Sequence, residues 1–382
     1  MRCCLLLFAA CLSAQTPPAI EQADAAFRSG DLDRAVTLAR QVVARDPGAV
    51  HAHMILGVVA AQQQLWPAAE KYFQTVIRLA PADPNGYFYL GQAALYQQKW
   101  EPAARYFTQA LDRKFPDPDR ALVELALALH EFGRPQQALD AVAKIQAPSA
   151  QSHAVAAFAL GALSRPAPAL ESIGKSIELD PSSPDYWEFL ITTRISVDQT
   201  PAALADAIRA QKLFPDSPDI QYLFAVASYY VAESPLTPLA LRNLREAEPD
   251  SPRVLLVEGL LHRKQGRTPQ ATEAFTRAAA QGVPDAHLLL GILHKEQGDY
   301  QAAEREYMEA ERLNPRNGQV LLELGKLFLA RGQLDQALDR LQKAEQLMPA
   351  AAAVHYQLGL LYRRLGQNDK AERHLRLSQQ QP

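Results

Sequence analysis

Apolar positions along the chain recur at helical spacing and come in pairs of runs. Leu321, Leu324, Leu327 and Phe328 form one run, a break follows at Gly332, and Leu334, Leu338 and Leu341 form the next. Each such block predicts two helices joined by a short turn. The block then repeats. Gly291, Gly325 and Gly359 are 34 residues apart, as are Ala303, Ala337 and Ala371, and Pro315 and Pro349 keep the same interval. Towards the N-terminus Gly57 pairs with Ala69, Gly91 with Ala103 and Gly259 with Ala271, always at an offset of twelve. A fixed period of this length is the signature of a stacked repeat rather than of two or three globular domains.

The small and cyclic residues punctuate the repeat. Gly30, Gly133, Gly266, Gly298, Gly332 and Gly366 fall between the two helices of a unit, where a left-handed residue lets the first helix stop and the chain reverse. Gly57, Gly91, Gly259, Gly291, Gly325 and Gly359 fall inside first helices, where glycine costs about 0.5–1 kcal/mol relative to alanine. A recurring cost of this kind predicts close helix approach, and the alanine twelve residues on (Ala69, Ala103, Ala271, Ala303, Ala337, Ala371) is the expected partner surface. Unit junctions read Asp83-Pro84, Asp117-Pro118, Ser183-Pro184, Ser217-Pro218 and Ser251-Pro252. These are helix starts, with an N-cap side chain followed by proline at a position whose N–H has no partner to lose.

With these residues in view, the chain resembles the tetratricopeptide repeat family, whose small-residue positions are matched by Gly325, Ala337 and Ala344 and whose closing proline is matched by Pro349. The resemblance implies an all-α solenoid of antiparallel helix pairs forming a right-handed superhelix, with first helices lining the concave face. About eleven units fit residues 15–382, regular over 50–118 and 252–382 and degenerate over 119–251, where Ala138 to Ala169 spans only 31. The pentatricopeptide repeats, which share the period and bind RNA, fit less well because the pI is near 6.3 and the N-terminus looks exported.

That N-terminus changes the picture most. Arg2 precedes an apolar run over residues 3–12 and then Ser13, Ala14 and Gln15, the layout of a signal peptide over residues 1–14. The run is too short to span a bilayer, and no later stretch is long enough. Phe8, Ala9, Ala10 and Cys11 are similar to a bacterial lipobox, with Phe8 where leucine is usual, which makes Cys11 a candidate lipid anchor. The expected location is exported, periplasmic or envelope-associated. All three cysteines (Cys3, Cys4 and Cys11) lie in this segment, so the rest of the chain has no thiol for a disulfide or a cysteine-ligated zinc site.

Candidate chemistry adds little. A net charge of -3 supplies no global field for nucleic acid phosphates. Phosphate-cradling glycine loops, a G-x-S-x-G elbow and an H-E-x-x-H helix are absent from the sequence, and the nine histidines are scattered and read as ordinary packed or exposed residues. No catalytic residue, cofactor or metal is expected, and the partner is a protein or peptide.

Repeat solenoids bind along their extended concave surface. Taking the small residue of each first helix as an anchor, the positions three before, one after and five after it face that surface. They are Met54, Val58 and Gln62, then Phe88, Gln92 and Tyr96, then Tyr222, Val226 and Tyr230. Further on they are Leu256, Leu260 and Lys264, then Leu288, Ile292 and Glu296, with Arg253, Lys295, Lys326, Arg363 and Arg364 on the same side. The expectation is an aromatic half for apolar side chains and a more basic half for an acidic or carboxylate-bearing stretch. The lysine and asparagine clamp by which some family members hold chaperone C-termini is not matched, since Met54, Val58, Phe88 and Gln92 occupy its positions. An interaction scaffold in an envelope assembly is the expected function, and a carrier for exported clients is the alternative.

Overall fold

The computed structural model describes residues 18–231, 234–249, 251–349 and 351–380. The expected export segment, Cys11 included, lies outside them. Among the described residues there are twenty-two α-helices and no strand, and no helix is long and apolar enough to cross a membrane.

The chain divides into two compact units at residues 179 and 180. The first holds α1 (Pro18–Arg28), α2 (Leu32–Arg45), α3 (Val50–Gln62), α4 (Trp66–Leu79), α5 (Pro84–Tyr96), α6 (Trp100–Asp112), α7 (Pro118–Glu131), α8 (Pro135–Val142), α9 (Ala150–Ala162) and α10 (Pro166–Leu179). The second holds α11 (Pro184–Ser196), α12 (Thr200–Leu213), α13 (Pro218–Tyr230), α14 (Thr237–Ala247), α15 (Pro252–Lys264), α16 (Thr268–Ala279), α17 (Pro284–Glu296), α18 (Tyr300–Leu313), α19 (Gly318–Ala330), α20 (Leu334–Leu347), α21 (Ala352–Arg364) and α22 (Asn368–Gln380). In the degenerate stretch α8 is cut to eight residues and α14 to eleven.

Odd-numbered helices are the first of each pair. In the first unit they touch one another in sequence, from α1 through α3, α5 and α7 to α9. A helix packed both against its own pair-mate and against neighbouring units must be apolar around most of its circumference. In α19 this buries Val320, Leu321, Leu322, Leu324, Leu327, Phe328 and Leu329, whereas its mate α20 buries only Ala337, Leu341 and Ala344 along one stripe.

Turn chemistry follows the expected punctuation. Asp83, Asp117, Ser217 and Ser251 each accept a backbone N–H of the first turn they cap, and proline follows at the first helical position. Ser183 precedes Pro184 in the same way but makes no capping hydrogen bond. Gly30, Gly133, Gly266, Gly298, Gly332 and Gly366 all have positive φ. The turn keeps this conformation where the sequence offers no glycine: Gln64, Gln98, Ser164 and Asp198 adopt φ of 55–60°. A non-glycine residue there costs about 1–2 kcal/mol, offset in part by the added freedom glycine brings to the unfolded chain. Gln64→Gly and Asp198→Gly should therefore each stabilise by a few tenths to about 1 kcal/mol, read as a rise in the urea midpoint. Unchanged or lowered midpoints would show that these turns carry no strain.

Candidate functional site

The in-helix glycines fix how close the two helices of a pair lie. A Cβ on Gly57 would meet the ring of Phe73 at 2.5 Å, one on Gly91 the ring of Phe107 at 2.8 Å, and one on Gly325 the side chain of Leu341 at 2.6 Å. Gly259 stands in the same way against Phe275, Gly291 against Tyr307 and Gly359 against Leu375. The close approach is as expected, but its partner is corrected. The group seated on each glycine is the large side chain sixteen residues on, while Ala69, Ala103, Ala271, Ala303, Ala337 and Ala371 are buried beside it. Each glycine is a notch that receives an aromatic or leucyl knob.

A second recurring device escaped the sequence reading. Four residues before the small position, or before Ile191 in α11 where that position is not small, a side-chain donor reaches the carbonyl of the proline six residues earlier: His53 Nε2 to Pro47, Tyr87 Oη to Pro81, Trp187 Nε1 to Pro181, Gln221 Nε2 to Pro215 and His355 Nε2 to Pro349. The distances run from 2.7 to 3.2 Å. Each closes the junction that precedes its own first helix. A proline followed at the sixth residue by His, Tyr, Trp or Gln was the available signal.

The notch and the latch bury two sides of each first helix, and the positions expected to face a partner occupy what remains. In the first unit the structure corrects two of them. Phe88 is fully buried, stacked on Phe115 at 4.2 Å between ring centroids and set edge-on to Phe107. Met54 is 3 % exposed and forms the floor of a shallow depression between Asp24, Phe27, His51 and Val58. Gln92 is half-buried and donates to Glu124 at 3.0 Å, and Tyr96 is exposed on one side while its ring stacks on Trp66 at 4.5 Å.

In the second unit Tyr222 and Val226 are half-buried and Tyr230 is exposed, its ring edge-on to Tyr229. Leu260, Leu288 and Ile292 are half-buried too, whereas Leu256 belongs to the core. Burial, with the Asp285 carboxylate nearby, raises the Tyr222 hydroxyl pKa, so the phenol stays a neutral donor at physiological pH.

Five of the six cations are already engaged, which corrects the expected basic half. Arg253 donates to Asp219 at 2.6 Å and lies over the Tyr222 ring. Lys264 donates to the carbonyls of Tyr229 and Val231 at 2.8 and 3.3 Å. Lys295 and Lys326 both donate to the buried carboxylate of Glu323, at 2.5 and 2.7 Å. Arg364 donates to the Leu329 carbonyl at 2.6 Å, and Arg363 is exposed at the end of α21. These groups chiefly tie first helices to their own neighbours.

A tetratricopeptide repeat family model matches residues 20–84, 89–153, 239–287 and 256–318, a second model of that description matches 294–345, and a TPR repeat model matches 325–366. No curated protein matches in sequence. Among solved structures the chain is similar to one from the APC/C hetero-tetramer Cut9–Hcn1, at 15 % identity and a TM-score of 0.48, covering 94 % of this chain and 86 % of that one. It is similar to pilF of Pseudomonas aeruginosa at 20 % identity and a TM-score of 0.40, over 51 % of this chain and 90 % of that one. A thermophilic TPR protein of Thermus thermophilus aligns at 19 % identity and a TM-score of 0.41, over 47 % of this chain and all of the other.

Proposed function

Since this chain belongs to the tetratricopeptide repeat family, whose repeats generally mediate protein–protein interaction, we propose that it is a non-catalytic scaffold whose second unit holds a partner through apolar side chains. The observation that carries this is the set Tyr222, Val226, Leu260, Leu288 and Ile292, each half-buried with its remaining surface in water, on the three consecutive first helices α13, α15 and α17. First helices are otherwise packed on most of their surface, so apolar groups left partly in water on successive repeats form an extended strip that a protein or peptide can cover. With the nearby cations spent on Asp219, Glu323 and backbone carbonyls, apolar contact is the main source of affinity.

The same proposal takes the N-terminus as an export segment, supported by the apolar run after Arg2, with either residues 1–14 removed whole or cleavage before Cys11 leaving that residue as a lipid attachment point. The partner then belongs to the cell envelope. Crosslinking and affinity capture of the full-length chain from its envelope fraction, with intact mass recorded on the same sample, tests both parts. A few stoichiometric partners are expected, and Tyr222→Ala with Ile292→Ala should weaken their binding by about 2 kcal/mol or roughly 30-fold while far-UV circular dichroism stays unchanged. Many substoichiometric clients would instead indicate a carrier, and undiminished binding by the double variant would remove the strip.

A further inference from the structure

The last repeat gathers Glu345 of α20, His355 of α21 and His374 of α22, with their ligand atoms all within 4.8 Å of one another. His355 Nε2 faces the Pro349 carbonyl at 2.9 Å. A carbonyl only accepts, so Nε2 carries the ring proton and the neutral imidazole presents Nδ1 as a bare lone pair. The His355 side chain is 4 % exposed, and its Nδ1 lies 3.2 Å from Nδ1 of His374 and 3.6 Å from Oε1 of Glu345. His374 Nδ1 is 3.7 Å from the same oxygen. Hydrogen bonding satisfies only one edge of this triangle, because one proton can sit between the two rings while the carboxylate is beyond hydrogen-bond reach of both. A single ion satisfies all three. A tetrahedral centre with bonds of about 2.0–2.1 Å sets its ligand atoms roughly 3.3–3.4 Å apart, inside the range these three edges span.

The preceding repeat shows what this place holds elsewhere in the chain. Thirty-four residues before His374 and Glu345 stand Arg340 and Glu311, paired at 3.1 Å. The terminal repeat keeps the carboxylate, exchanges the guanidinium for an imidazole, and puts a second imidazole, His355, where the preceding repeat has buried Leu321. A cationic place is retained, but as a ligand set of two nitrogens and one oxygen. The bond from His355 Nε2 to a backbone carbonyl is the outer support that orients metal-binding histidines.

We propose that Glu345, His355 and His374 bind a divalent transition ion of the Zn2+ type, with water completing the tetrahedron, and that the ion clasps the terminal helix α22 onto α20 and α21. Two imidazoles with one carboxylate select such an ion over Ca2+ or Mg2+. Lys370 and Arg373 bring like charge to His374, so the Glu345 carboxylate is needed to balance the site. Among the described side chains of α22 only Ala371 is fully enclosed, so a cross-link there strengthens the hold on an element that buries little apolar surface of its own.

The test uses the full chain with Cys3, Cys4 and Cys11 changed to serine, so that thiols do not compete. After treatment with chelator it is titrated calorimetrically with zinc chloride and melted with and without the ion. One equivalent should bind and the melting temperature should rise by several degrees, with calcium chloride having no effect. His374→Ala should abolish both changes. Glu345→Gln, which leaves both histidines in place and so decides if the first variant misfolds, should weaken binding beyond the roughly 10–100-fold typical of an outer-shell loss. Absence of stoichiometric binding, or undiminished binding by Glu345→Gln, overturns the site.

Discussion

Gly259→Ala and Gly291→Ala should each destabilise the protein by about 1–3 kcal/mol, although alanine is the better helix former by about 0.8–1 kcal/mol. Propensity counts one residue in one helix, whereas the notch counts what the neighbouring helix must do. A Cβ at either position would intrude on the ring of Phe275 or Tyr307, and both rings are fully buried. Gly174, inside α10, is the internal control: a Cβ there meets nothing within 4 Å. Gly174→Ala should therefore stabilise by about 0.5–1 kcal/mol, so the same chemical change has opposite signs at the two kinds of site. Thermal melts of the three variants read this directly. Gly259→Ala combined with Phe275→Leu should cost less than the sum of the two single changes, because the smaller knob relieves the clash that the first creates. If all three glycine variants melt higher than the parent chain, packing against the knob is not why glycine recurs.

The fold was legible because its punctuation is local. The 34-residue interval of Gly291, Gly325 and Gly359, the Asp-Pro and Ser-Pro helix starts and the glycines at helix stops each act within a few residues, and the structure uses all of them but the Ser183 cap as written. Contacts between helices were less so. The glycine was read with the alanine twelve residues on, because that spacing recurs without exception. The side chain sixteen residues on varies among Phe, Tyr and Leu and so hides the pattern, yet it is the one that fills the notch. Phase alone put Phe88 on the open face. The residue that covers it, Phe115, lies in the junction after α6, where the positive φ of Lys114 redirects the chain. Phase likewise gave Lys295 and Lys326 to a partner, whereas Glu323, on a different first helix from Lys295, holds them both. The histidines read as scattered because Glu345, His355 and His374 come together only when three helices stack.

Glu323 carries the other large effect. Its side chain is 6 % exposed, and the structure surrounds a charge that burial alone would neutralise with two lysines. Burial pushes the carboxyl pKa up, but the hydrogen bonds from Lys295 and Lys326 outweigh it and hold the group below its ordinary value. A carboxyl with a lowered folded-state pKa contributes stability above its unfolded pKa, and that stability is lost as pH falls through the folded value. Lys295→Ala with Lys326→Ala leaves the buried carboxylate with only a long 3.5 Å contact from the Gln319 side-chain amide, which should cost about 3–5 kcal/mol at neutral pH. The lower end applies, since both lysines are about one-third exposed and their own desolvation was incomplete. In the double variant burial is opposed only by that long amide contact, and the pKa moves above the unfolded value. The sign of the pH dependence then inverts, because the protonated group is the one the folded state prefers. Denaturant midpoints of parent and variant should converge as pH is lowered into the carboxylate range, and adding Glu323→Gln to the variant should recover much of the loss at neutral pH. Curves that stay parallel with pH, with no recovery from glutamine, would show that the lysines act through packing of their aliphatic stems and not through the charge they neutralise.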